Sequence, residues 1–260
     1  MNTSISTLNV HTGAALLALH YRAIESQLSF GLFTDLQAVQ WAKEIGFEFA
    51  PVVSPESLTV QLATACRTKL FNDEIEGFEG RVINLGCGFD TRGQNHDKEL
   101  WLDIDLEEVI GLRLDNSDDW KSHHVFGDIT DEAFMTSMVS EMPTLVLLEG
   151  VLDYFPESEV YKILKKVRAF SPEVKVVFDA CGTVYKDVPH PVQSGTSESH
   201  TIRWGLDVPE QLEHLGFEVT KKTYVHEVAL ERWKPTEEAF KQYPIMKDHA
   251  SRVIVMEGVE

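Results

Sequence analysis

The segment of this chain best equipped for chemistry is Leu85-Gly86-Cys87-Gly88-Phe89-Asp90-Thr91, which directly follows the apolar run Arg81-Val-Ile-Asn-Leu85. Glycines at 86 and 88 permit a tight turn and let the backbone approach a ligand closely, because neither carries a Cβ. In a dinucleotide site a third glycine and a helix N-terminus would hold the pyrophosphate. Position 91 is Thr, so that pattern fails, and a ligand without phosphates suits the loop better. Taken alone, the loop is equally well read as a strand-to-helix turn that binds nothing.

Acids recur where a ligand at this loop would need them. Asp105 ends the run ELWLDID, 19 residues after Gly86. A carboxylate there can accept from both hydroxyls of a ribose. Asp103 lies two residues earlier on the same face. One of the two is expected only to cap the following helix, and Asp105 is preferred as the ligand acid. Asp128 closes HHVFGD, placed to accept from an adenine amino group while Ile129 packs on the ring. Its alternative role is to cap the helix that starts near Asp131. Glu149 ends the run TLVLLEG, where a carboxylate needs a cationic partner, such as an ammonium. Asp153 and Tyr154 follow on the same loop. Tyr154 either faces an acceptor or packs in the core.

These residues require strands that end at one edge. RVINLG (81–86), ELWLDID (99–105), HHVFGD (123–128), TLVLLEG (144–150) and VKVVFDA (174–180) read as buried strands. Helical patterns lie between them near 107–114, 131–140 and 157–170. Such alternation predicts a parallel sheet covered on both faces. A helix near 208–215, a strand over 217–225 and a last strand over 252–258 complete the pattern. The expected fold class is α/β, a Rossmann-like class I methyltransferase fold with a seven-stranded, mostly parallel sheet, whose two final strands include an antiparallel one at the sheet edge. Ahead of it, residues 10–72 read as helices: Ala14, Leu17, Ala18 and Tyr21 recur at helical spacing, PVVSP (51–55) interrupts, and a further helix runs from Leu58 to about Phe71. The expectation is one domain over 1–260, with a helical cap over 1–72 and a catalytic core over 73–260.

Composition narrows the partners. Lys and Arg total 23 against 42 Asp and Glu, a net charge of −19 over 260 residues. Such a surface repels phosphate backbones and anionic lipid, so neither nucleic acid nor membrane is expected as a main partner. Three cysteines (Cys66, Cys87, Cys181) without Cys-x-x-Cys spacing argue against a disulfide framework or a structural zinc, and no metal is expected. The N-terminus lacks a basic, apolar leader and the apolar stretch Ala14–Leu19 is too short for a membrane span, so a cytoplasmic location is expected.

Arg67-Thr68, LGCGFDTR, LDIDL, GDI and LEGVLDYF, in this order, resemble the leucine carboxyl methyltransferase family, which includes polyketide O-methyltransferases of the tetracenomycin type. HYRAIES (20–26) resembles its cap. The resemblance implies S-adenosylmethionine as cofactor. It implies Arg67 on the cofactor carboxylate, Gly86, Gly88 and Asp90 along the cofactor, Asp105 on the ribose, Asp128 and Ile129 at the adenine, and Glu149 at the amino-acid end. Cys87 stands where many relatives have Ala, and Asp153-Tyr154 where they often have Met-Tyr. The chain is also short for the group. These departures bear on the acceptor more than on the cofactor.

The leading reading is an O-methyltransferase acting on the hydroxyl or carboxylate of a small, secondary-metabolite-like molecule. The alternatives are a carboxyl methyltransferase of protein C-termini and a non-catalytic methyltransferase-fold binding protein. A nicotinamide oxidoreductase is disfavoured by Thr91. Tyr154 is the candidate for orienting the acceptor. His190 and His200, after the fifth strand, are candidate bases if the acceptor is a hydroxyl. His123 and His124 are expected at the surface. Oligomeric state is left open.

Overall fold

The computed structural model describes residues 10–46, 52–95, 100–115, 123–187, 189–190, 200–236, 241 and 250–259. Three helices come first: α1 (Val10–Ser26), α2 (Leu36–Ile45) and α3 (Pro55–Ile75). Strands and helices then alternate as β1 (Arg81–Leu85), β2 (Trp101–Asp105), α4 (Glu107–Asp115), β3 (His123–Phe126), α5 (Glu132–Thr136), β4 (Thr144–Leu148), α6 (Glu157–Arg168) and β5 (Val174–Ala180). A short hairpin of β6 (Pro189–His190) and β7 (His200–Thr201) precedes β8 (Phe217–Tyr224) and β9 (Arg252–Gly258).

Seven strands form one sheet in the order β3-β2-β1-β4-β5-β9-β8. β1 to β5 are parallel, and β9 runs antiparallel to both β5 and β8, so the antiparallel strand lies inside the edge strand β8 rather than at the edge as expected. The strand order reverses between β1 and β4, and open α/β sheets bind ligands outside the carboxyl ends at such a switch point. β4 is buried at all five positions, as a central strand covered on both faces must be. One face carries α6, whose buried Val160, Ile163, Leu164 and Val167 form a single stripe. Its acids fall in the first turn and its bases in the last, matching the helix dipole. The opposite face packs Leu70, Phe71 and Ile75 of α3 against Val82, Leu145, Leu147 and Val177. The expected cap boundary at 72 therefore falls within α3, whose last turns belong to the sheet core. Each of these apolar side chains contributes about 1.5–3 kcal/mol when fully buried.

Several boundaries differ from the sequence expectation. α3 starts earlier than Leu58, because Ser54 caps it reciprocally with Ser57 and Pro55 occupies the first turn. The helix expected over 131–140 is only α5, capped by Asp131 and closed at Ser137. The stretch expected as a helix near 208–215 is a 3-10 helix over Pro209–Leu215, ended by Gly216 in the left-handed region. Among the described residues, no helix is long and apolar enough to cross a membrane.

Candidate active site

The loop after β1 is gripped from two sides. Gly86 and Gly88 have φ of +71° and +50°, a region L side chains rarely adopt. A Cβ on Gly86 would lie 2.6 Å from Val151 Cγ2, and one on Gly88 would lie 2.9 Å from Ala15 Cβ of α1. From the core side, Arg113 Nη1 donates to the Gly88 carbonyl at 2.5 Å. From the cap, Arg22 Nη2 donates to the Phe89 carbonyl at 2.5 Å. Asp90 faces inward and is buried; its oxygens accept from Asn84 Nδ2 at 2.9 Å, Arg92 N at 2.9 Å and Arg22 Nη1 at 3.4 Å. These bonds anchor the turn. Cys87 is buried, and that burial pushes its thiol well above the ordinary range, so it is no nucleophile.

The two acids of β2 share a face and separate by burial and partner. Asp103 is fully buried and accepts from Arg113 Nη2 at 2.8 Å, Trp101 Nε1 at 2.8 Å and Asn84 Nδ2 at 3.1 Å. Asp105, half-buried at the strand's end, accepts from the Gly88 N–H at 2.7 Å and the Leu106 N–H at 2.8 Å. Asp105 is thus in direct touch with the glycine turn. His124, expected at the surface with His123, is not there: its side chain is 7% exposed and lies 4.0 Å from Asp103. Burial, then the charges of Arg113 and His123, hold its pKa down at about 4, so it is neutral at pH 7.

At the end of β3, Asp128 is exposed and its Oδ1 accepts from Thr130 N at 2.8 Å and Thr130 Oγ1 at 2.7 Å. Asp131, not Asp128, caps α5. Ile129 beside it is buried. The pair stands at the same edge as Asp105.

The ends of β4 and β5 hold a cluster of charge. Arg67 Nε donates to Glu149 Oε1 at 3.1 Å, and its Nη1 to Asp179 Oδ2 at 3.0 Å. Arg92 Nη2 pairs with Glu149 Oε2. Burial pushes the Glu149 carboxyl up, but Arg92, Arg67 and Arg22 outweigh it and hold its pKa at about 2. Asp179 Oδ1 accepts the Gly150 N–H at 2.5 Å. Gly150, at φ +67°, places its Cα beside the Arg67 guanidinium. Arg67 is therefore already oriented by two acids, while its Nη2 makes no hydrogen bond within the described residues.

Tyr154 lies half-buried on the 3-10 turn Leu152–Tyr154 that follows Glu149. Its hydroxyl is raised by burial and by the charge of Asp153, so it stays protonated at neutral pH. The backbones of His190 and His200 pair with each other in the β6–β7 hairpin. Their side chains lie outside the described atoms.

Sequence reasoning overlooked Arg22, Arg92, Arg113 and Asp179. Arg22 and Arg92 sit inside the quoted motifs HYRAIES and LGCGFDTR, but their partners lie 57–67 positions away. Asp179, the next-to-last residue of β5, could have been found by the same strand-end rule that picked Glu149.

No family model matches the chain. It is 25% identical over 223 residues to the tetracenomycin polyketide synthesis O-methyltransferase TcmP of Streptomyces glaucescens, a match covering 82% of this chain and 81% of that protein. It is 26% identical over 227 residues to the S-adenosyl-L-methionine-dependent methyltransferase dpfgK of Gibberella zeae, covering 76% of each. Among solved structures it resembles an S-adenosylmethionine-dependent methyltransferase of Mesorhizobium loti, with a TM-score of 0.50 and 15% identity over 75% of this chain and 99% of that one. With the strand order and the antiparallel β9, this defines the architecture as the class I methyltransferase fold. The tetracenomycin-type resemblance read from the motifs agrees with the first of these relatives.

Proposed function

We propose that this protein is an S-adenosylmethionine-dependent O-methyltransferase acting on a small-molecule acceptor. The observation that carries the reading is the charge and shape of the switch-point edge. Asp105, Asp128, Glu149 and Asp179 stand at the ends of four strands, against Arg67 and Arg92. This excess of acid repels a dinucleotide pyrophosphate and favours a cationic ligand.

The residues present fit that cofactor. Gly86 and Gly88, at φ +71° and +50°, form the tight turn that brings backbone to the edge. Arg67 offers its remaining Nη2 to a carboxylate, Glu149 is ionised at any physiological pH to meet an ammonium, and Asp105 is placed for ribose hydroxyls. Ile129 and Asp128 are placed for an adenine. When bound, the cofactor supplies an activated methyl group on a sulfonium. The protein's task is then to align the acceptor and exclude water. Tyr154, beside Glu149 and protonated, orients the acceptor at the mouth of β4. α1 closes the edge through Ala15 and Arg22.

Isothermal titration tests the reading. S-adenosylmethionine and S-adenosylhomocysteine are expected to bind at micromolar scale, and NADH not to bind. Tight nicotinamide binding without any response to the sulfonium would overturn it.

A further inference from the structure

Asp153 differs from every other acid of the edge. Its Oδ1 is buried and has no hydrogen-bond partner among the described residues. Asp105, Asp128, Glu149 and Asp179 each accept at least one hydrogen bond. A buried carboxyl oxygen with nothing to accept is destabilising, so its retention beside the switch point calls for a ligand group that donates to it. The residue stands between Leu152, which is in the core, and Tyr154. The Arg203 N–H donates to its backbone carbonyl at 2.8 Å, which ties the segment returning after β7 to this turn. The ionisable groups around it are Asp179 on β5, Arg67 on α3, Cys181 just after β5 and Tyr154 on its own turn. Arg67 is the cation among them, and its Nε and Nη1 are committed to Glu149 and Asp179.

We propose that Asp153 Oδ1 receives the proton of a hydroxyl acceptor, and that the protein methylates an alcohol or phenol rather than a carboxylate. This rests on the methyltransferase reading above. In the step, the acceptor oxygen forms its new bond to the methyl carbon as the carbon–sulfur bond breaks and that electron pair stays on sulfur. The acceptor's O–H bond breaks, its electrons remain on oxygen, and the proton goes to Asp153. One cation is neutralised and one carboxylate is protonated, so charge balances without a further reactant. Above its pKa, where Asp153 is able to accept a proton, a carboxylate acceptor has none to give and would meet it as a like charge. Burial and the charge of Asp179 push the Asp153 carboxyl up to about 8 against the pull of Arg67. The proton-accepting form therefore grows with pH through that value, and kcat for a hydroxyl acceptor rises with it.

Two measurements on the full chain saturated with S-adenosylhomocysteine decide the matter. Infrared titration should show a protonated carboxyl band that disappears with a midpoint near pH 8 and is missing in Asp153→Asn. Calorimetry at pH 9 with 2-naphthylmethanol and 2-naphthoate as probes should show the alcohol binding about tenfold tighter, a preference that Asp153→Asn largely removes. The inference is overturned by a titrating band that persists in Asp153→Asn, by the absence of any such band, or by no preference for the alcohol. A loss of S-adenosylhomocysteine affinity beyond about tenfold in Asp153→Asn would place the residue on the cofactor instead and also overturn it. Failure of the parent protein to bind S-adenosylhomocysteine sinks the methyltransferase reading itself, and is seen before any acceptor probe is added.

Discussion

The two halves of the carboxyl edge handle charge in opposite ways. On the β1–β2 side, Asp103 and Arg113 are fully buried, paired at 2.8 Å, and surrounded by Trp101 and Asn84 as donors. The same Arg113 holds the glycine turn through the Gly88 carbonyl. On the β4–β5 side, one guanidinium is shared between Glu149 and Asp179, and Asp153 Oδ1 is left without a donor. Where burial is complete, every charge is matched, because an unmatched one there is too costly. Where the edge opens, acid is in excess, and a cationic or proton-donating ligand completes it. The first side holds the turn through matched charge; the second leaves acid unmatched within the described residues.

Breaking the matched side has the largest expected effect. Arg113→Ala leaves Asp103 charged and fully buried, which destabilises the fold by about 3–5 kcal/mol. Urea unfolding measures this, and a loss under about 1 kcal/mol would show that the pair does not hold the turn.

The shared cation comes next. Arg67→Ala removes a charge-assisted pair to the cofactor, worth about 1.5–3 kcal/mol, so cofactor affinity should fall by about tenfold to a hundredfold. Arg67→Lys should recover only part, since an ammonium lacks the planar fork. Parent-like titration of Arg67→Ala would remove Arg67 from the site.

At the turn that joins the two halves, Gly86→Ala combines a left-handed φ with a Cβ 2.6 Å from Val151. A stability cost of about 1–3 kcal/mol is expected, with weaker cofactor binding from the displaced loop. Thermal unfolding with and without S-adenosylhomocysteine reads both effects.

The smallest effect sharpens the comparison through pH. The folded Asp153 carboxyl sits at about 8, well above its unfolded value of 3.8, so the folded state holds the extra proton between those limits. Asp153 therefore lowers stability progressively as pH rises from about 4 to 8, with no further loss above. Glu149 has the opposite sign. Depressed from 4.5 to about 2, it contributes stability that is present above 4.5 and lost as pH falls through 2. Asp153→Asn should flatten the decline on the alkaline side and leave the acid limb unchanged. Urea midpoints at pH 5 and pH 8 give the comparison, and an unchanged difference between them would count against a buried, protonated Asp153.

The amino-acid sequence by itself determined the sheet and the addresses of the acids at its carboxyl edge. Parallel strands covered on both faces must be apolar throughout, so β1, β4 and β5 stand out without any tertiary information. A glycine pair after the first strand and acids at the ends of the second, third and fourth follow from chain geometry alone. What only the tertiary structure decided is which charge meets which. Asp103 and Asp105 look equivalent as letters, and only the folded chain sets the first against the buried Arg113 and the second against the Gly88 N–H. His124 reads as a surface residue until β3 is set against Asp103. Arg67 reads as a free cation until α3 brings it to Glu149 and Asp179, 82 and 112 positions away. Periodicity and turn chemistry are local and can be read along the chain. Desolvation and ion pairing depend on neighbours distant in sequence, and exist only once the chain has folded.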